Sequence, residues 1–160
     1  MKAARLHGEG DLRVEEVAKP DPSRGEMLLR VGAGQVCATD IRMYKQGAPG
    51  NGDRNPLTLG HEIAGVIEAL GPDIDGYETG MRVAVAPNYG CGVCDTCVSG
   101  NTQACDQSEA LGVTRDGGFA EFMIVPEPAV RQGNVARVPE HVTLQEAALA
   151  EPLSCVYSTL

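Results

Sequence analysis

Residues 60–87 open with Gly60-His61-Glu62-Ile63-Ala64-Gly65-Val66-Ile67-Glu68-Ala69-Leu70, pass through the turn Gly71-Pro72-Asp73 and end in MRVAVAP at 81–87. Two apolar, β-branched runs separated by a glycine-proline turn are the signature of paired strands. Working outward, KAARL (2–6), LRVEEV (12–17) and EMLLRVGAG (26–34) repeat the pattern, and GGFAEFMIV (117–125) adds another strand downstream. Gly-Glu-Gly at 8–10 and the loop 20–25, PDPSRG, separate the first three. Helical segments are short. TDIRMYKQG (39–47) can be capped by Thr39 or Asp40 and closed by Gly47. Thr143-x-x-Glu146 forms a capping box ahead of AALA, and Glu151-Pro152 opens LSCVYSTL. Residues 47–58 read as a loop. The expectation is a mainly β fold with short helices, built as a small, partly open β-barrel.

Composition agrees. The chain has 160 residues, so one ordinary domain, and its 20 glycines and 10 prolines disfavour an all-helical fold. Aromatic residues make up 4%, so the core must come from aliphatic side chains. Thirteen basic against 22 acidic residues give a net charge of −9, which disfavours nucleic acid and anionic membranes as partners. No apolar run is long enough to span a bilayer, and the start MKAARLHGEG lacks the apolar core of a signal peptide. These features lead to the expectation of a cytoplasmic protein.

Four of the six cysteines crowd into fifteen residues, Cys91, Cys94, Cys97 and Cys105, spaced C-x2-C-x2-C-x7-C among Gly90, Gly92 and Gly100. Four thiolates on a tight, glycine-rich wrap form a closed shell for structural zinc. A ferredoxin-type iron–sulfur cluster asks for a final gap of three and a following proline; here the gap is seven and Asp106 follows. Disulfides do not suit a reducing compartment, and four idle thiols would oxidise.

A second constellation surrounds His61. Adjacent side chains on a strand point to opposite faces, but at the start of a strand His61 and Glu62 can reach one centre. Alone, His61 reads as a solvated loop residue and Cys37 as a small buried hydrophobe. The wider pattern G-H-E-x2-G-x5-G-x2-I, running Gly60, His61, Glu62, Gly65, Gly71, Ile74, resembles the signature of zinc-containing medium-chain alcohol dehydrogenases. The cysteine lobe, VCATD (36–40), DGGFAEF (116–122) and AALAEPLSCV (147–156) are similar to further landmarks of that family, in the same order.

The resemblance implies a GroES-like catalytic domain over 1–150 with a zinc lobe at 88–110. Residues 151–160 would start a helix leading to an absent Rossmann domain that binds NAD or NADP. It implies two zinc ions, one structural and one catalytic. The catalytic ion would be held by Cys37, His61 and an acidic residue, either Glu62 or Glu151, the latter standing where a second cysteine occurs in other branches and pointing to the polyol and threonine dehydrogenase branch. Thr39 matches the family's proton-relay hydroxyl; a further relay histidine is replaced by Arg42. Cys155, one turn past Glu151, reads as packing. The implied substrate is a small alcohol or polyol, and the implied full-length assembly a homodimer or homotetramer. No G-x-G-x-x-G follows a strand in these residues, and the chain stops inside its last helix, which leads to the expectation of a fragment. The alternative reading is a non-catalytic GroES-like zinc module that acts as a scaffold.

Overall fold

The computed structural model describes residues 1–48 and 56–158. Ten strands and five short helices follow in the order β1 (Lys2–Gly8), β2 (Asp11–Glu16), β3 (Met27–Gln35), α1 (Ala38–Gln46), β4 (Leu57–Thr58), β5 (Glu62–Leu70), β6 (Arg82–Val85), β7 (Asn88–Tyr89), α2 (Asp95–Val98), β8 (Glu109–Ala110), β9 (Phe122–Val125), α3 (Glu127–Arg131), β10 (Val135–Arg137), α4 (Leu144–Ala148) and α5 (Ala150–Tyr157). A five-stranded antiparallel sheet runs β10-β6-β5-β3-β9, a three-stranded sheet β2-β1-β4, and a two-stranded ribbon pairs β7 with β8. The Ala4 N–H donates to the Phe119 carbonyl, and Ala3 bridges Ala120, which ties the smaller sheet to the segment ahead of β9. The sheets curl towards one another without closing, as expected for a partly open barrel.

β5 occupies the middle of the large sheet because its first half is apolar on both faces. Ile63 and Ile67 pack into the main core with Met27, Leu29, Val83 and Val125. Ala64 supports a second cluster with Val138, Ala147 and Ala148, which seats α4 on the sheet. A third cluster, Leu6, Met43, Leu57 and Leu59, holds α1 against the smaller sheet. Each buried Val, Leu, Ile or Met side chain among these contributes about 1.5–3 kcal/mol relative to its exposed state.

Local expectations differ from the structure in a few places. Neither Thr39 nor Asp40 is the N-cap of α1. Cys37 is, and Asp40 sits at N3, where its carboxylate accepts the Cys37 N–H. Gly47 does end the helix, at φ 79°. The Thr143–Glu146 capping box forms as expected. The strand expected over 117–125 is confined to Phe122–Val125, because Gly118 and Phe119 donate instead to the carbonyls of Gly60 and Leu59. Of the expected loop 47–58, residues 49–55 lie outside the described residues, and its end forms β4. The last two residues of LSCVYSTL also lie outside them.

Candidate metal centre

Three chain segments converge on one cavity of about 380 Å³. The N-terminus of α1 brings Cys37 and Thr39, the start of β5 brings His61 and Glu62, and α5 brings Glu151 and Cys155. One ligand atom from each of Cys37, His61 and Glu62 lies within 4.8 Å of the others. Glu151 lines the same cavity but stands outside that trio. Among the two carboxylates left open by the sequence, Glu62 is therefore the one already gathered with the thiol and the imidazole. Arg42 is exposed and takes no part in the cavity wall.

The backbone delivers His61 through Gly60, which adopts φ 93°, a conformation costly for residues with a Cβ. A Cβ there would also lie 2.5 Å from the Phe119 ring. The bend turns His61 and Glu62 inward together at the point where β5 begins.

Asp40 fixes the ring, a role that its sequence position disguised as helix capping. The carboxylate is 3% exposed. It accepts the Cys37 N–H at 2.9 Å through one oxygen and the Gly60 N–H at 3.3 Å through the other, and the latter oxygen lies 3.6 Å from His61 Nδ1. That separation is slightly long for a hydrogen bond, so Nδ1 is buried without a formal partner. Burial raises the Asp40 carboxyl's pKa, but His61 and the two N–H groups outweigh it and hold the group below its ordinary value. Asp40 in turn raises the imidazole to about 9, opposed by burial and assisted by Cys37. A pocket that favours a proton's positive charge on this ring also favours a cation at its other nitrogen. The signal for Asp40 was present as an acidic residue three positions after Cys37, one helical turn away.

These residues fit a metal. Glu62 is 6% exposed, and no hydrogen bond or ion pair engages its carboxylate among the described residues. Its oxygens keep access to the cavity, where a cation bound beside Cys37 and His61 would neutralise them. A thiol, an imidazole oriented by a carboxylate and a second carboxylate form the donor set of an open zinc site. A larger cavity of about 530 Å³ lies along β9 and contains none of these donors.

Cys155 corrects an expectation. It is exposed on the cavity side of α5 rather than packed. Its thiol points to Glu151, with Sγ 3.8 Å from Oε1, and that neighbouring charge raises its pKa.

The second cluster matches its expected residues. Sulfur atoms of Cys91, Cys94, Cys97 and Cys105 all lie within 4.8 Å of one another. Backbone N–H groups of Cys91 and Gln107 point to Cys105 Sγ at 3.4 Å, and that of Cys94 to Cys91 Sγ at 3.4 Å. Such donors favour thiolates. The Cys97 N–H and the neighbouring sulfurs lower Cys94 to about 6. The Gly92 N–H pulls Cys97 down as well, but burial and the three other sulfurs outweigh it and push that thiol up to about 11. A Cβ on Gly90 would collide with Cys97 Sγ, so this position tolerates only glycine. Arg131 and Gln132 clasp the lobe by donating to the carbonyls of Cys91 and Gly90 at 3.1 and 2.9 Å. Four convergent sulfurs on such a wrap fit structural zinc.

Comparison with known proteins finds relatives along almost the whole of this chain. Residues 23–140 match the family model described as alcohol dehydrogenase GroES-like domain. The chain is 36% identical over 156 residues to a sorbitol dehydrogenase of Bacillus subtilis (strain 168), covering 96% of this chain and 43% of that protein. Among solved structures, an alcohol dehydrogenase from Escherichia coli CFT073 complexed with NADH superposes with a TM-score of 0.86 at 33% identity, covering 98% of this chain and 44% of that one. A cobalt- and zinc-bound thermostable alcohol dehydrogenase from Pyrobaculum aerophilum superposes with a TM-score of 0.80 at 32% identity, covering 92% and 44%. This chain thus spans less than half the length of the relatives that it matches. No helix among the described residues is long and apolar enough to cross a membrane.

Proposed function

This chain belongs to the alcohol dehydrogenase GroES-like domain family, and from that premise we propose that it carries the metal centre of a zinc-dependent dehydrogenase of alcohols or polyols using NAD or NADP. In this reading residues 1–150 are the catalytic domain, and 151–160 lead towards a nucleotide-binding domain supplied by further chain. A cytoplasmic location, where the four lobe thiols stay reduced, suits it. The single observation that supports it most is the gathering of Cys37, His61 and the largely buried Glu62 at one cavity, with one ligand atom of each within 4.8 Å of the others. A scaffold has no need of a thiol, an imidazole and a carboxylate gathered at one cavity.

Cys37, His61 and Glu62 would hold the catalytic ion, with Glu151 as the carboxylate able to exchange with Glu62. Zinc bound there supplies Lewis-acid polarisation of a substrate hydroxyl, and a nicotinamide supplies the hydride acceptor. Asp40 holds the imidazole so that Nε2 is the nitrogen left for the cavity, and it keeps the Cys37 backbone in place. Thr39 offers a hydroxyl on the cavity wall, positioned to pass a substrate proton towards solvent. The lobe of Cys91, Cys94, Cys97 and Cys105 would hold the second zinc and stabilise the cavity's outer wall.

The test is metal content combined with turnover. The purified chain should carry two zinc ions, and His61→Ala one. A full-length form should oxidise a polyol panel with NAD or NADP in a zinc-dependent way. A single zinc in the wild-type chain, unaffected by His61→Ala, would sink the reading.

A further inference from the structure

Five side chains of metal-binding type line the cavity, Cys37, His61, Glu62, Glu151 and Cys155, two more than the gathered trio. The two extra donors sit together on α5, one helical turn apart, with Cys155 Sγ 3.8 Å from Glu151 Oε1. α5 is also loosely held. None of its described side chains is buried, and its contacts run to β5 and α4. An element with few buried contacts shifts at low cost. Opposite it, Glu62 is more than nine-tenths buried and has no hydrogen-bond or ion-pair partner among the described residues, which marks the cavity as built for a cation.

Thiolate competes better than carboxylate for a soft cation. Exchanging one for the other leaves the formal charge of the ligand shell unchanged, and the displaced carboxylate is accommodated most cheaply when it is Glu151, which is less buried than Glu62. We propose that Cys155 is an exchangeable ligand of this cavity, its thiolate joining Cys37 and His61 on a soft divalent cation and displacing a carboxylate. This rests on the reading of the cavity as a metal centre. In the exchange the Cys155 thiol gives its proton to solvent and its sulfur lone pair forms the new bond. The displaced oxygen leaves as a free carboxylate, and no electrons change hands. The cavity thereby acquires two settings, one with a single sulfur and one with two, selected by the softness of the ion.

Cadmium-113 resonance on the chain loaded with cadmium ion alone distinguishes the settings, because each thiolate ligand moves the signal downfield. Two resonances are expected, one from the four-sulfur lobe and one from the cavity. Cys155→Ser should move the cavity resonance upfield by the step of one sulfur and leave the lobe resonance in place, which also reports that the variant is folded. A cavity resonance unmoved by Cys155→Ser overturns the proposal. Absence of any cavity resonance in the wild-type chain removes the metal-centre reading itself, and the proposal with it. Without any variant, cadmium should slow alkylation of Cys155 by iodoacetamide at least tenfold, and an equal rate with and without cadmium overturns the proposal as well.

Discussion

Asp40 is the side chain on which the geometry of the cavity depends most, and Asp40→Asn and Asp40→Ala separate its two tasks. The carboxylate satisfies the N–H groups of Cys37 and Gly60 at 2.9 and 3.3 Å and faces His61 Nδ1 at 3.6 Å. Asparagine keeps the shape and one acceptor but loses the charge facing the ring. Partners of this kind behind a metal-binding histidine are worth about 10–100-fold in metal affinity, or about 1.4–2.8 kcal/mol. The Asp40→Asn side chain must also present its amide to one of the two N–H donors, and an orphaned buried donor costs about 1–3 kcal/mol of stability. Alanine orphans both, about 2–6 kcal/mol, against a total stability of about 5–15 kcal/mol. Zinc titration against a chromophoric chelator, read as two classes of site, together with urea midpoints, checks both numbers. Asp40→Asn should weaken one zinc by about 10–100-fold and leave the lobe zinc unchanged. Wild-type affinity at both sites in that variant would refute the assigned role.

Other perturbations follow from the same geometry. Gly60→Ala forces φ 93° on a residue with a Cβ and drives that Cβ against the Phe119 ring, costing about 2–5 kcal/mol. Combining it with Phe119→Ala should relieve only the packing share, measured by denaturant unfolding. Gly90→Ala collides with Cys97 Sγ, so emission spectroscopy should find the lobe zinc lost, with the Cys37–His61 site still able to bind zinc but more weakly than in the wild-type chain. Thr39→Val, in a full-length form, should lower turnover by about 100-fold without changing zinc content, the magnitude of a lost proton-transfer group. In metal-stripped protein the raised pKa of His61 means that its contribution to stability is complete below about 6.5 and lost as pH rises through about 9. His61→Gln should flatten that slope in urea midpoints taken across the window.

The parts of the fold readable from sequence were those carried by local pattern. EIAGVIEAL at 62–70 coincides with β5 because a strand buried on both faces at its start leaves an unbroken apolar run. The zinc lobe was legible because all four sulfurs lie within fifteen residues and turn spacing alone nearly places them. β7, β8 and β10 span two or three residues each, too short for any period to show. The choice between Glu62 and Glu151 was closed to sequence because it depends on where α5 lands against β5, a contact between segments almost ninety residues apart. Asp40 was obscured for a related reason. Its capping contact is local, whereas its partner His61 arrives from another strand. Cys155 looked apolar because helical spacing cannot say whether anything covers that face.

The small ribbon of Asn88–Tyr89 and Glu109–Ala110 belongs to two centres at once. It is the stem from which the four-sulfur lobe grows, and its Asn88 and Ala110 line the same cavity as Cys37 and His61. The lobe is thus less an ornament than a foundation: an ion lost from the outer knot would slacken masonry that the inner chamber shares. A chelator selective for the first centre should therefore be felt at the second, although no ligand is common to them.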